Sequence, residues 1–353
     1  MIELIKYTEP KKWNKIIKSY KKNDTYYTCE YATSLKDVEN GIPYLLNYET
    51  SNFHLSYPIF ENDLSDCPLF QGEIEKNLIY DWNTPYGYGG PLCDIDSLTL
   101  EQQLRFKEEL FALAKERNVV SQFIRFHPLL QNQKVCKDVI VNKYLKDTVF
   151  IDLTTSDDLM LQMESKNRNL IRKALKNNIN IIHDEGKYLN DFIRIYKITM
   201  DRDNASEFYY FPRNYYIYLQ KNMKGQVEYF YAIKDGQIAA ASIFFYNKNF
   251  IHYHLSANLI EYRQFAPTNL LLYEAANWAR NKGIKYFHLG GGVDSEDSLF
   301  HFKKQFNKNG RIPFYIGGNI FDYEKYNALL KKRLELDPAF DINNSYFIQY
   351  RKN

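Results

Sequence analysis

The hydrophobic and polar positions of the first half predict short strands separated by turns, and one long amphipathic helix. A strand is expected at Ile2–Lys6 and a helix around Pro10–Tyr20, since proline suits a first helical turn. Strand-like runs then alternate with Gly, Pro and Asn turns as far as Pro91. From residue 99 to 117 the apolar residues recur with helical spacing, and two strands follow. The expected helix face is Leu100, Leu104, Leu110, Phe111 and Ala114, and the strands are Val119–Phe126 and Val149–Leu153.

The second half begins with a helix-capping signal and continues through two more helices into a three-stranded meander. Thr155 or Ser156 is expected to cap a helix that runs to Lys176, with two aspartates in its first turn. Asp235-Gly236 is typical of a hairpin turn. The further elements expected in chain order are helices Leu189–Asp201 and Pro212–Met223, strands Val227–Ile233, Gln237–Tyr246 and Phe250–Ser256, a helix from Pro267 to Gly283, strand Lys285–Leu289 and helix Tyr323–Arg333.

Both halves therefore show helix, antiparallel strands, helix and strand in similar order, without a sequence repeat. A chain of 353 residues is long enough for two domains with separate cores. We expect an α+β protein with two domains of similar kind, residues 1–150 and 151–353. Each domain is expected to be a mostly antiparallel mixed sheet flanked by helices.

Composition and charge narrow the class of protein. Hydrophobic residues make up 45% and charged residues 25%, as in ordinary globular proteins. A net charge of +3 does not by itself indicate nucleic-acid binding, so any basic site has to be local. The four cysteines form no CxxC pair, which favours reduced thiols over a disulfide framework or a zinc site. Neither a signal peptide nor a run of about 18 apolar residues is present, so we expect a cytoplasmic protein whose membrane contact is peripheral.

Three adjacent glycines, Gly290–Gly292, follow the strand Lys285–Leu289. Ordering glycine costs more backbone entropy than ordering any other residue, so the triplet needs a structural reason. A tight turn followed by a short helix starting near Ser298 would hold Phe302 and Lys303 on a rigid base. A lysine in that position can stabilise negative charge developing on an acyl carbonyl, or contact a phosphate. The alternative is an ordinary solvated lysine.

Two segments of the second half are candidate sites for phosphate. The helix that opens at Thr268 presents free amide N–H groups, with Arg263 a few residues upstream. The run KNRNLIRKALK, residues 166–176, has five cations and no acid, and Arg168, Arg172 and Lys176 fall on one stripe. Arginine offers a planar fork that matches phosphate. The alternatives are a capped helix beside a solvated arginine, and a solvated charged face.

The first half offers candidate contacts for an acceptor. The segment TPYGYGGPL, residues 84–92, places the flat faces and hydroxyls of Tyr86 and Tyr88 among glycines. In FIRFHPLL, residues 123–130, Arg125 and His127 are expected on one side of a strand end, because alternate residues share a face. A structural corner with a paired arginine is the alternative.

Other common chemistries are not indicated. His252 and His254 are expected on one strand face, but no third ligand lies at a recognisable metal-binding spacing. There is no G-x-S-x-G nucleophile elbow and no Walker lysine motif. We therefore expect no metal and no covalent enzyme intermediate.

Several segments together resemble the FemABX-like branch of the GNAT acyltransferase superfamily, from about Thr84 to the end of the chain. The resemblance includes the two N-terminal segments quoted above. It also includes the segments IHYHLSANLIEYRQFAPTNLLLYEAANWARNKGIKYFHLGGG, SLFHFKKQF, KNRNLIRKALKNNI, YKITMDRDNASEFYYFPRNYY and SYFIQYR.

This resemblance implies two GNAT-like domains in tandem around a cleft. It also implies transfer of an amino acid from aminoacyl-tRNA to an amine of a peptidoglycan precursor, lipid-linked or nucleotide-linked, at the inner face of the membrane. No tightly bound cofactor is implied, and aminoacyl-tRNA or acyl-CoA would be the co-substrate. The resemblance links Phe302-Lys303 to the carrier's acceptor end and to charge in the transition state. The full set of expected site residues is Lys303 and Phe302 for catalysis; Arg263, Thr268, Asn269 and His254 for the donor; Lys166, Arg168 and Arg172 for phosphate; and Tyr86, Tyr88, Arg125, His127 and Tyr209 for the acceptor.

Two positions depart from the family pattern. His127 precedes Pro128, where bridge-forming members commonly carry aspartate. The stretch from Arg263 to Thr268 lacks both glycines of the usual Q/R-x-x-G-x-G/A diphosphate loop, which disfavours ordinary acetyl-CoA binding. An acyl-CoA-dependent N- or O-acyltransferase of a surface polysaccharide or nucleotide sugar is the first alternative. A non-catalytic GNAT-like module that binds RNA or an anionic glycan is the second.

Overall fold

The computed structural model describes residues 1–95 and 97–352, and its contacts divide the chain into two compact units. The first unit is Met1–Leu145 with Phe314–Asn353, and the second is Lys146–Pro313. The chain passes from the first unit to the second between Leu145 and Lys146, close to the expected boundary at residue 150. The segment after Pro313 was expected in the second domain, but it packs with the first unit. Local sequence patterns do not reveal this return, because it depends on strand pairing between residues far apart in the chain.

The helices and strands follow one another along the whole described chain. The helices are α1 (Pro10–Ser19), α2 (Cys29–Ser34), α3 (Lys36–Glu39), α4 (Leu100–Glu116), α5 (Ser165–Lys176), α6 (Leu189–Arg202), α7 (Arg213–Asn222), α8 (Pro267–Asn281), α9 (Ser298–Lys304) and α10 (Tyr323–Leu336). The strands are β1 (Ile2–Lys6), β2 (Ile42–Glu49), β3 (His54–Asp63), β4 (Tyr80–Asn83), β5 (Leu92–Cys93), β6 (Val119–Arg125), β7 (Val141–Asp152), β8 (Asn180–Asp184), β9 (Val227–Lys234), β10 (Gln237–Tyr246), β11 (Phe250–Asn258), β12 (Tyr286–Gly290) and β13 (Arg311–Ile320).

The first unit is built on a mixed sheet with the strand order β1-β2-β3-β4-β6-β13. Its neighbours are antiparallel except β4 and β6, and β5 pairs with β3 at the side. In the register of β6 with β13, Gly318 lies opposite Phe123. This pairing is what holds the end of the chain in the first unit.

Helix α4 begins as the sequence indicates, but it turns a different face to the core. Thr99 and Gln102 form a reciprocal capping box at its start. The buried apolar residues are Phe106, Leu110 and Ala114, spaced four apart. Leu100 and Leu104, which were expected on this face, are exposed, so that part of the prediction is wrong. The correct stripe runs along one i, i+4 row, and the two leucines lie beside it.

The second unit contains a sheet with the order β7-β12-β11-β10-β9-β8, antiparallel except for β11 and β12. The expected hairpin between β9 and β10 is confirmed, since Asp235 and Gly236 both have positive φ angles. Helix α8 buries Leu271, Ala275 and Ala279 in the core of this unit. Mixed sheets with flanking helices confirm the α+β class in both units.

The single helix expected from residue 155 to 176 is wrong. A short 3₁₀ turn at Leu159–Gln162, capped by the side chain of Asp158, comes first, and α5 begins only at Ser165. Met163 between them is extended and fully buried. Leu159 on the 3₁₀ turn and Met163 after it both lie in the core of the second unit.

Candidate active site

The glycine triplet at the end of β12 is required by close packing. Gly290 has a positive φ of 75°. A Cβ on Gly291 would lie 2.8 Å from the carbonyl oxygen of Asp147, and a Cβ on Gly292 would overlap the Asp297 carboxylate. The chain can therefore leave the strand and turn tightly only without side chains.

Asp297 organises the segment that follows the turn. Its Oδ2 accepts hydrogen bonds from the amides of Val293 (2.6 Å) and Asp294 (3.0 Å), and its Oδ1 accepts one from Phe300 (2.7 Å). Burial opposes ionisation of this carboxyl, but these backbone N–H groups hold the pKa of Asp297 below its usual value. The cap fixes the start of α9 at Ser298, as the sequence indicates.

Lys303 on α9 is buried, with only 8% of its surface exposed. Its Nζ donates a hydrogen bond to the carbonyl oxygen of Gly291 at 2.6 Å and lies 5.8 Å from the ring centroid of Tyr253. Burial, together with the charge of Lys146, lowers the pKa of Lys303 to about 7, while Asp297 opposes this shift. An ammonium group with this pKa exchanges its proton near neutral pH, which is what proton-transfer chemistry requires.

Lys146 on β7 holds the next two carbonyl groups of the turn. Its Nζ donates to the carbonyl oxygens of Gly292 (2.6 Å) and Val293 (2.7 Å). Two lysines thus bind three successive carbonyls of one turn. No signal in the sequence points to Lys146, because it lies far from the glycines along the chain.

Tyr253 on β11 is a further residue that sequence reasoning missed. Its hydroxyl donates to Ser256 Oγ, which lies 3.3 Å from Ser242 Oγ across the β10–β11 pair. Burial raises the pKa of Tyr253 to about 12, so its hydroxyl stays neutral at physiological pH. Phe302, the other expected catalytic residue, is half-buried and packs edge-to-face against Phe306.

His254 follows Tyr253 on β11. The pairing of β10 with β11 skips His254, which leaves it as a bulged residue. Its ring stacks on Phe245 at 3.8 Å, and its Nε2 lies 2.6 Å from the hydroxyl of Tyr215. Burial holds the pKa of His254 well below its usual value, so the ring is neutral. The expected role of His254 in donor binding stays a prediction.

The other donor residues lie around the start of α8. Arg263 is exposed on the preceding 3₁₀ turn and Thr268 is half-buried. Asn269 is buried, and its Nδ2 donates to Asn167 Oδ1 on α5 at 2.8 Å. Ala266 at the N-cap has the left-handed φ of 55°. Of this set, Arg263 and Thr268 present surface to a ligand, whereas Asn269 joins two helices.

The basic helix α5 packs directly against α8. Lys166 and Arg172 are exposed, and Arg172 Nη1 lies 3.3 Å from Asn169 Oδ1. Arg168 is half-buried, and its Nη1 donates to the carbonyl oxygen of Met163 at 2.8 Å. Within residues 1–95 and 97–352, none of these three cations forms an ion pair with a carboxylate. Neighbouring elements of the second unit thus bring the expected phosphate residues and the start of α8 together.

In the first unit, three of the expected acceptor residues form a half-exposed cluster. Arg125 Nε donates to the carbonyl oxygen of Gly87 at 3.1 Å, and its guanidinium lies 5.9 Å from the ring centroid of Tyr86. The rings of Tyr88 and Phe314 meet edge-to-face at 5.5 Å. The Arg125 guanidinium also lies 5.6 Å from the ring centroid of Phe314, which links it to Tyr88. A cation among aromatic rings suits a polar ligand with flat or anionic groups.

His127 contacts this cluster from inside the protein, since its ring meets that of Tyr88 edge-to-face at 5.7 Å. Tyr209 belongs to the second unit. His127 is fully buried, its Nδ1 accepts a hydrogen bond from the amide of Leu130, and its Nε2 lies 3.4 Å from Asp24 Oδ2. His127 therefore presents no surface of its own, and its contact with the acceptor stays a prediction. Tyr209 is half-buried on a 3₁₀ turn of the second unit, beside Phe208.

A separate cavity of 470 Å³ in the second unit has an acidic lining. Asp152, Asp157 and Asp158 line it together with Lys308, and Lys303 is not among its lining residues. Three carboxylates repel phosphate groups. We therefore do not assign the donor to this cavity.

Comparison with known proteins supports an acyltransferase. Residues 165–304 match the family model described as an acetyltransferase (GNAT) domain. This match includes α5, α8, the glycine turn and Lys303. A search of the curated proteins gives no match.

Solved structures share the fold over nearly the whole chain. The crystal structure of FemX has a TM-score of 0.67 and 16% sequence identity, covering 93% of this chain and 99% of that one. L-PGS from Bacillus licheniformis has a TM-score of 0.54 at 13% identity, covering 95% and 97%. The C-terminal domain of a putative lysylphosphatidylglycerol synthetase from Agrobacterium fabrum has 0.53 at 13%, covering 94% and 96%. Together with the family match, these neighbours confirm the resemblance to the FemABX-like branch of the GNAT acyltransferases.

Among the described residues, no helix is both long enough and apolar enough to cross a lipid bilayer.

Proposed function

We propose that the protein transfers an aminoacyl group from aminoacyl-tRNA to an amine of a peptidoglycan precursor or another cell-envelope precursor. The observation that carries this proposal is the buried Lys303 at the glycine turn, whose ammonium group has lost most of its hydration. The FemX-like fold and the resemblance of the sequence motifs supply the reaction class.

In the proposed reaction, the neutral acceptor amine attacks the ester carbonyl carbon of the donor. A C–N bond forms and the carbonyl oxygen takes up negative charge. The ester C–O bond then breaks, and the terminal ribose hydroxyl of the tRNA leaves with a proton while the attacking nitrogen loses one. Lys303 Nζ stabilises the oxyanion as a hydrogen-bond donor, and correct placement of the two substrates contributes much of the acceleration.

The start of α8 favours tRNA over CoA as the donor carrier. A GNAT diphosphate site uses free amide N–H groups at the start of this helix. Here Pro267 occupies the first helical position and has no N–H group to offer. The adjacent α5 carries five cations without an acid, which suits a polyanion of many phosphates.

On this proposal, Lys166, Arg168 and Arg172 bind backbone phosphates of the donor, and Arg263 and Thr268 contact its acceptor end. The half-exposed cluster around Arg125 in the first unit binds the acceptor. The envelope precursor is lipid-linked or nucleotide-linked, and no tightly bound cofactor takes part.

The test is a mass-spectrometric assay of the purified protein with Gly-, Ala- or Ser-tRNA and a lipid-linked or nucleotide-linked muropeptide. We expect the acceptor to gain the mass of one amino acid residue. Lys303→Met should abolish this gain, whereas Lys304→Met on the same helix should leave it within a few-fold of the unaltered protein.

Other outcomes separate the alternatives. A mass gain with acetyl-CoA and not with any aminoacyl-tRNA would establish the CoA-dependent acyltransferase instead. No gain with any donor would contradict acyl transfer. A binding module would lose its ligand on charge reversal at Arg168 and Arg172 while tolerating Lys303→Ala.

A further inference from the structure

Helix α1 in the first unit carries a dense positive charge for which the proposed reaction has no use. Residues 10–23 contain six lysines and no acid, which is a charge of +6. The whole chain carries only +3, so the remainder carries −3. Charge is thus concentrated on one helix and the turn after it.

The lysines lie on the side of α1 that faces away from the protein. Trp13 and Ile17 are buried against the first unit. At about 100° per residue, Lys11, Lys15 and Lys18 fall within an arc of roughly 60° on the opposite side. All three are exposed, and Lys21 and Lys22 continue the exposed run directly after the helix.

These charges are not neutralised within the protein. Lys12 pairs with Glu3. In the described part of the chain, the other five lysines have no ion pair and donate no hydrogen bond. Like charges three and four residues apart on a helix repel one another, so an external anionic surface would relieve the repulsion.

We propose that this lysine face of α1 docks the protein on a bilayer containing anionic phospholipids. Clusters of four to eight basic residues on an amphipathic helix bind such surfaces, gaining about fivefold in affinity per lysine. Trp13 and Ile17 are buried in the protein core and do not insert into the acyl chains, so the contact of α1 with the bilayer is electrostatic.

The composition of the face favours lipid over RNA. It contains lysine only, and its two aromatic residues, Trp13 and Tyr20, are buried. RNA recognition relies on arginine forks and on exposed rings that stack with bases. A fluid layer of headgroups needs only point charges. Helix α5 differs, because its cations include Arg168 and Arg172.

Membrane docking through the lysine face of α1 is independent of the proposed transfer reaction. Flotation of the full-length protein with vesicles of equimolar phosphatidylglycerol and phosphatidylcholine tests it, with pure phosphatidylcholine vesicles as reference. We expect binding to the anionic vesicles only, weakening steeply between 0.05 and 0.5 M salt because salt screens exposed charges (roughly a 10 Å Debye length at 0.1 M).

Changing Lys11, Lys15, Lys18 and Lys22 together to glutamine should lower vesicle affinity by about 100-fold or more. The matched control changes four other exposed, unpaired lysines of the same unit to glutamine and should lose only a few-fold. The control positions are Lys76, Lys115, Lys137 and Lys331.

Three results would overturn the proposal: no binding of the unaltered protein to anionic vesicles, equal losses in both variants, or a helix variant that loses tRNA affinity while keeping vesicle binding.

A second experiment uses only the unaltered protein, so its result does not depend on whether a variant folds correctly. Anionic vesicles should protect Lys11, Lys15 and Lys18 from amine acetylation, read by peptide mass spectrometry, and should leave Lys137 and Lys331 reactive. Equal reactivity with and without vesicles counts against the docking face.

Discussion

Replacing Lys303 by methionine should change the pH dependence of stability in a direction fixed by its environment. The pKa of Lys303 falls from 10.5 to about 7 in the folded protein because the side chain is buried. Below pH 7 the folded protein therefore carries the full cost of a buried ammonium. Between pH 7 and 10.5 the unfolded chain binds more protons than the folded one, so stability rises with pH. Methionine is neutral at every pH and shows no such rise.

The expected size follows from the pKa shift. Each pH unit above 7 relieves about 1.4 kcal/mol, so the unaltered protein should gain about 2.5–3 kcal/mol relative to Lys303→Met between pH 6 and 9. Urea unfolding of both proteins at intervals across this range measures the difference. Taking the difference cancels every other titrating group that the substitution leaves untouched. Lys304→Met, on the same helix and half-exposed, is the control and should follow the unaltered protein.

A stability difference that stays constant from pH 6 to 9 would refute the reasoning. It would mean that Lys303 keeps its proton in the folded state, and that water or an acid reaches the ammonium. A fall in the stability of the unaltered protein relative to Lys303→Met as pH rises would contradict the direction of the shift itself.

Three further substitutions test packing around the site and in the first unit by urea or thermal unfolding. Gly292→Ala should destabilise by roughly 1–3 kcal/mol, because its methyl group displaces the Asp297 cap; an unchanged melt would show that the turn can shift. Arg351→Met should cost about 3–5 kcal/mol, because it leaves the buried Asp81 carboxylate without its bidentate partner; a loss under 1 kcal/mol would show that water solvates that carboxylate. Ala266→Gly should stabilise by about 0.5–1 kcal/mol by removing left-handed strain, and a loss of stability would contradict the φ of 55°.

Local sequence signals predict the elements around the site well. The hairpin at Asp235 and Gly236, the apolar face of α8 and the start of α9 each depend on residues within one or two turns of one another. The same kind of signal fails at Met163, where extended backbone interrupts the helix expected from residue 155 to 176. Secondary structure is predicted correctly from sequence for the segments whose main contacts are with residues nearby in the chain.

The candidate site shows the same limit. The glycines and Lys303 stand out because they lie in one short segment. Lys146 binds the carbonyl oxygen of Gly292 from another part of the chain, and no periodicity links them. His127 shows another side of this limit, because a polar residue at a strand end suggests a ligand contact, while the fold encloses the side chain in the protein. Sequence alone does not show which polar side chains the fold buries.

The surroundings of Lys303 also indicate how its side chain accelerates the proposed reaction. In the resting protein, burial and Lys146 both disfavour the ammonium form. Either form of the amine can donate to the Gly291 carbonyl, so the side chain keeps its position in both protonation states. Negative charge arising on an adjacent carbonyl oxygen favours the ammonium form, and it does so only as the tetrahedral species develops. An interaction that strengthens in the transition state and is weak in the ground state lowers the barrier without tightening substrate binding. A fully solvated lysine is already protonated and well hydrated at rest, so it would gain less from the same change.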